Sequence, residues 1–138
     1  MSILLASKQH RAIVILRIVV AVLMFIHGAA RAYYGGVKPF GGFLTSVGFP
    51  FGLAIAWGIT IFELVGSVLL SVGLFVTPIA MIFALELLMG IVLVHSKAGW
   101  FVVGLGRNGM EYSVLLIAVM LALAYSHFKG LKNLFSRN

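Results

Sequence analysis

The sequence predicts an all-α fold: one domain, residues 1–138, built as an integral membrane bundle of four transmembrane helices. An interfacial aromatic loop or short helix joins the first two. Three observations predict it. Hydrophobic residues make up 62% of the chain and charged residues 9%, far from the roughly 45–50% and ~25% of soluble domains. Four apolar stretches, each near the ~20 residues that cross a bilayer, divide the chain. The basic residues behind a net charge of +7 sit mainly at the ends of those stretches and in the tails. That placement suits a fringe beside anionic lipid headgroups and argues against nucleic acid as a partner. Cysteine is absent, which removes disulfides, thiolate metal sites and thiol redox chemistry from the chain itself.

The first span is expected over 12–30. Lys8 and Arg11 precede it, and Ala30-Arg31-Ala32 imitates a signal-peptide cleavage site. Arg17 interrupts the apolar run and three more spans follow, so the reading is an uncleaved helix. Residues 33–51, "YYGGVKPFGGFLTSVGFPF", hold too much glycine and proline to span, yet carry six aromatic rings. Aromatic residues settle at the membrane interface, where an apolar body and a polar edge are both accommodated. A short interfacial helix around 43–47 is expected there, with Tyr33, Tyr34 and Phe43 as interface residues, either lidding the bundle or anchoring it. The second span covers 52–76. Pro78 opens the third, 78–96, since proline is tolerated in a helix's first turn. The link of 75–77 makes these two an antiparallel hairpin.

Residues 104–109 read "GLGRNG", a literal match to a dinucleotide fingerprint. That fingerprint needs a preceding strand and a βαβ unit, and here it falls in a turn between membrane helices. The fourth span covers 109–126. The tail 127–138, "HFKGLKNLFSRN", alternates basic and apolar residues and is expected to lie along the headgroups. Four spans place both termini on one side with Lys8, Arg11, Lys129, Lys132 and Arg137, against Arg31, Lys38, Lys97 and Arg107 opposite. The positive-inside rule then puts the termini in the cytoplasm.

Ionisable residues inside the spans mark the candidate site. At ~1.5 Å per residue, Arg17 and Glu86 fall roughly 8 and 12 Å from the inner end, and Glu63 near mid-bilayer. His27, Arg31, His95, Arg107 and Glu111 fall near the outer face. Thr60, Glu63, Ser67 and Ser71 follow one helical stripe, so that face looks inward. Arg17 is the expected ion-pair partner of Glu63, with Glu86 competing for it. Small residues four apart (Ala54 and Gly58, Ser67 and Ser71, Ala80 and Ala84, Ala118 and Ala122) allow close helix approach. His27, His95 and Glu111 form a candidate two-histidine, one-carboxylate metal set, set against the plainer reading of interfacial hydrogen-bonders and no metal.

These residues resemble a known family. Arg17, the pair His27-Gly28, "ELVGSVLLSVGLFVTPIAM" over 63–81 and "GMEY" over 109–112 look like the DoxX family of small four-helix bacterial membrane proteins. The resemblance covers roughly residues 11–127, and its strongest piece is the spacing of Glu63, Gly66, Gly73 and Thr77. Ser67 stands where a glycine is usual, and Glu86 lies outside the pattern. The resemblance implies a protein of the bacterial inner membrane associated with redox systems. These include sulfur-compound oxidation with quinone as acceptor, and an oxidoreductase complex with superoxide dismutase and a sulfurtransferase.

Two function classes follow. In the first, a redox-associated subunit binds a quinone-like or other apolar ligand, with Arg17, His27, Glu63 and Glu111 as polar anchors and Thr60, Ser67 and Glu86 beside them. Electrons would come from a redox partner protein, since the chain shows no haem, flavin or thiol motif. In the second, the bundle is a non-enzymatic lipid- or small-molecule-binding scaffold, assembly factor or transporter. Whether the chain is itself an enzyme, and whether it forms a homo-oligomer, stays open in both.

Overall fold

The computed structural model describes residues 2–128, with side chains from residue 7 onward. The expected amphipathic tail falls, beyond Phe128, outside the described residues. Helix α1 runs over Ser2–Tyr33, α2 over Val37–Ser46, α3 over Gly52–Val72 and α4 over Val76–Gly90. A π-helical turn, Ile91–His95, carries α4 into the single turn α5, Ser96–Ala98, and α6 follows over Glu111–His127. Among the described residues three segments are long and apolar enough to cross a membrane: Ser7–Tyr33, Gly52–Val72 and Val76–Ala98. Helix α6 is apolar but shorter. Bulky side chains such as Ile15, Val19, Ile61, Val65 and Leu85 stay exposed on the outside, a surface that suits hydrocarbon rather than water.

The helix ends follow local chemistry. Gly73 closes α3 in the left-handed region at φ 87°, with Gly73 N–H on the Leu70 carbonyl and Leu74 N–H on the Leu69 carbonyl. That is a Schellman stop, which glycine adopts without steric cost. Pro78 sits in the first turn of α4, where no intrahelical N–H is lost. The segment between α1 and α3 is more ordered than expected. Its helix begins at Val37, not near 43, and buries Val37, Gly41 and Leu44 against α3 around Ala56, with Phe40, Phe43 and Phe49 alongside. The i, i+4, i+7 spacing of those three residues presents one face, which outweighs the low helix propensity of the glycines.

Packing divides the molecule into two pairs. Helix α1 lies along α3, with α2 across α3, while α4 lies along α6; contact between α1 and α6 or between α3 and α4 is much sparser. The expected hairpin of second and third spans therefore has a tight link but little contact along its arms. The main core joins the pairs through Val20, Ala21 and Met24 of α1, Leu70 of α3, Ala80, Phe83 and Ala84 of α4, and Leu116, Met120 and Leu123 of α6. Of the small-residue pairs, Ala80 and Ala84 are buried at this contact, whereas Ala54, Gly58, Ala118 and Ala122 are exposed. Close helix approach thus uses only part of the small-residue pattern.

Candidate functional site

Glu63 is fully buried, and its carboxylate meets a guanidinium in a two-pronged ion pair. The guanidinium belongs to Arg31, not to Arg17 as the sequence suggested. Arg31 Nη1 donates to Glu63 Oε2 at 2.6 Å and Nη2 to Oε1 at 3.1 Å. Nη1 also reaches Thr60 Oγ1 at 3.2 Å, and the Thr60 hydroxyl donates to the Ala56 carbonyl at 2.8 Å. The Phe40 ring lies 4.6 Å from the guanidinium carbon and covers the pair from α2. The reason for the exchange of arginines is directional. Helical side chains lean toward the N-terminus of their helix. On α1 that lean carries Arg17 away from mid-span and carries Arg31 back toward it. The antiparallel register of α1 and α3 does the rest, setting Gly28 opposite Glu63. A methyl group on Gly28 would lie 2.8 Å from Glu63 Cβ, so only glycine lets the two helices meet there.

Two further groups join this cluster. His27 Nε2 lies 4.0 Å from Glu63 Oε1, with 67% of its side chain exposed. Glu86 of α4 brings its carboxyl beside that of Glu63 and within range of the Arg31 charge. All four open on a cavity of about 840 Å³ between the two helix pairs. Its walls are mainly apolar, with Met24 of α1, Phe43 and Leu44 of α2, Ile59 and Phe62 of α3, and Leu116 of α6. His95 enters from the π turn, its Nδ1 donating to the Asn108 carbonyl at 2.8 Å, and Tyr112 and Ser113 enter from α6. Such wide turns are frequent at functional sites because they re-aim a side chain without ending the helix.

The remaining sequence candidates separate. Thr60 belongs to the cluster as a buried acceptor for Arg31. Ser67 is buried one turn further along and does not line the cavity. Glu111 accepts the Val102 N–H at 2.8 Å and ties the loop 99–110 to the start of α6, away from the cavity wall. Among the described residues no three His, Asp or Glu side chains come together to hold a metal ion, so His27, His95 and Glu111 do not form the candidate set. Phe43 lines the cavity, while Tyr33 and Tyr34 stack edge to face on the outside, 85% and 81% exposed. Arg17 stands in a separate inner tier. Its Nη1 donates to His127 Nε2 at 3.3 Å and its Nη2 to the Ser71 carbonyl at 3.4 Å, with the guanidinium packed over Gly73. Thr77 closes the same end by donating to the Ala124 carbonyl at 3.2 Å. Sequence reasoning missed Arg31, Phe40 and the reach of Glu86. The signal for Arg31 was present in the direction of side-chain lean along α1.

With this geometry in view, comparison with known proteins gives a consistent picture. The DoxX family model matches residues 12–96. A Bacillus subtilis (strain 168) protein named "Putative oxidoreductase CatD" is 32% identical over 117 residues, 85% of this chain and 81% of the relative. No solved structure matches the chain. The chain belongs to the DoxX family and is a multi-pass membrane protein. Of the residues that carry the sequence resemblance, Glu63 is the buried partner of Arg31, Gly73 the floor under Arg17, and Thr77 the tie to α6.

Proposed function

We propose that this DoxX-family protein is a four-span subunit of a redox system in the bacterial inner membrane, holding a quinone-like ligand in its outer cavity. The observation that carries the reading is the cavity itself. At about 840 Å³ it lies within the roughly 300–1,000 Å³ of small-molecule sites, and it combines apolar walls with a few convergent polar groups. A quinone-like ligand supplies two carbonyl oxygens that accept hydrogen bonds and, on reduction, protons. The His27 ring faces the cavity as a donor, and Glu86, whose carboxyl has no arginine fork of its own, is placed to hold a proton there. Glu63 and Arg31 neutralise one another and fix the floor on which those groups stand. The name of the Bacillus subtilis relative supports the redox setting. In this reading a redox partner protein supplies the electrons. Helix α6 is the fourth span, and loop charges place both termini in the cytoplasm, which thiol labelling of single cysteines at Ser2 and Ser136 in spheroplasts will check.

Mass spectrometry of an organic extract from gently purified protein tests the ligand. Isoprenoid quinone is expected in stoichiometric amount, and a Gly58→Phe variant should lose most of it. Gly58 lines the cavity and a Cβ added there meets no atom within 4 Å, so a larger side chain can be introduced at the cavity wall without a backbone clash. Quinone that is absent, or equally abundant in the folded variant, sinks the reading and leaves the scaffold or transporter class.

A further inference from the structure

We infer a second ligand site at the opposite end of the bundle, where Arg17, oriented by His127, binds the phosphate of an anionic phospholipid whose acyl chain lies in the groove between α1 and α6. A guanidinium inside a membrane helix requires a counter-charge, because an isolated buried ion is strongly disfavoured. The chain has three acidic side chains, and all are committed elsewhere. Glu63 takes Arg31, Glu86 lies beside Glu63, and Glu111 holds the Val102 N–H. No glutamate is left for Arg17.

The acceptors that Arg17 does have are neutral and few. A guanidinium offers five N–H donors and no lone pair. His127 Nε2 faces it at 3.3 Å and must therefore be the bare, accepting ring nitrogen. The other ring nitrogen, with the Leu123 carbonyl at 3.1 Å and Ser126 Oγ at 2.9 Å, carries the proton. The Ser71 carbonyl accepts a long bond at 3.4 Å, and Arg17 Nε is buried with no acceptor among the described residues. Among the described residues two neutral acceptors meet the four Nη donors, which leaves N–H groups for an anion with several oxygens, and a phosphodiester supplies these in the fork geometry that arginine favours.

The apolar half of the ligand has its own place. A groove of about 340 Å³ runs between α1 and α6, walled by Ile13 and Leu16 on one side and Ala118, Val119 and Ala122 on the other, with Ser126 as its polar member. Leu16 directly precedes Arg17, and the Ser126 hydroxyl sits against the His127 ring, so the groove ends beside the residues that carry the cation and its imidazole partner. Ala118 and Ala122 are small and exposed, which makes the groove rather than fills a core. An apolar channel ending at an uncompensated cation matches a phospholipid and not a free anion.

The full chain, delipidated in detergent, tests this with added phosphatidylglycerol, phosphatidylcholine and inorganic phosphate, read by native mass spectrometry and thermal shift. Phosphatidylglycerol should bind saturably, about tenfold tighter than phosphatidylcholine, as expected of one arginine near its phosphate. Inorganic phosphate at matched concentration should not raise the melting temperature. Arg17→Gln should abolish the preference and Arg17→Lys keep part of it. Ala122→Phe obstructs the groove from an exposed position and leaves Arg17 in place, so it tests the site even where Arg17→Gln fails to fold; phosphatidylglycerol binding should fall about tenfold in it. Preference unchanged in Arg17→Gln or in Ala122→Phe overturns the site. So does protection by inorganic phosphate equal to that by phosphatidylglycerol, which would mark a free-anion site.

Discussion

The two charged tiers of this protein solve one problem in opposite ways. In the outer tier Arg31 and Glu63 neutralise each other through two hydrogen bonds, 2.6 and 3.1 Å long, under the Phe40 ring. In the inner tier, roughly 21 Å along α1 from Arg31, Arg17 meets a neutral imidazole and a backbone carbonyl as its acceptors among the described residues. The outer pair is satisfied from within the chain, and a mainly apolar space of about 840 Å³ lies beside it. The inner cation is not, so its environment must supply the missing charge. A buried ion by itself therefore says little about role; what completes its coordination says more.

Breaking the outer pair should have the largest effect. Glu63→Gln or Arg31→Gln strands the other charge in low dielectric and should each cost about 3–5 kcal/mol in detergent, with part of that recovered in the double variant. Arg17→Gln combined with Glu63→Gln should instead be additive, because the two residues share no contact. Thermal unfolding of the five variants and the parent protein gives both cycles, and recovery in the Arg17 pair but not the Arg31 pair would reverse the assignment.

The glycine beneath each tier sharpens the contrast at lower cost. Gly28→Ala places a methyl 2.8 Å from Glu63 Cβ, which cannot swing aside as a flexible chain end can, so α1 and α3 must part, at about 1–3 kcal/mol. Gly73→Ala meets the tip of the Arg17 side chain, which can move, and the loss should be nearer the ~1–2 kcal/mol of a left-handed alanine. Unfolding midpoints that rank Gly73→Ala as the more damaging would mean that Arg17 is held more rigidly than Glu63.

The smallest effect on stability should come from Phe43→Ala, confined to the cavity wall. The chain has no cysteine, so a Ser113→Cys probe in the cavity reports access cleanly. Its labelling should accelerate several-fold when Phe43 is truncated, with helix content unchanged. Equal labelling rates would reduce α2 to an anchor rather than a lid.

Much of the fold was legible from composition and periodicity. Hydropathy alone located the spans of α1, α3 and α4, because a helix in hydrocarbon must be apolar along its whole length and satisfy its own backbone. Of the stripe Thr60, Glu63, Ser67 and Ser71, the first three are buried as an inward face requires, while Ser71 is half-buried. The helix α2 was harder to see, because its glycines lower local propensity while its stability comes from packing on α3.

What the sequence by itself determined is the position of the long apolar helices and the inward face of α3, because both follow from the hydropathy and the 3.6-residue period of a single segment. Which arginine serves Glu63, which helices pair, and where the gap between the pairs opens as a cavity were decided only by tertiary structure. Those outcomes depend on the register of one helix against another and on the lean of long side chains across it. Arg17 and Arg31, both within the membrane stretch of α1, were equally available by composition. The antiparallel register set Gly28 against Glu63, and the lean toward the N-terminus then brought Arg31 to the carboxylate and sent Arg17 to the other end.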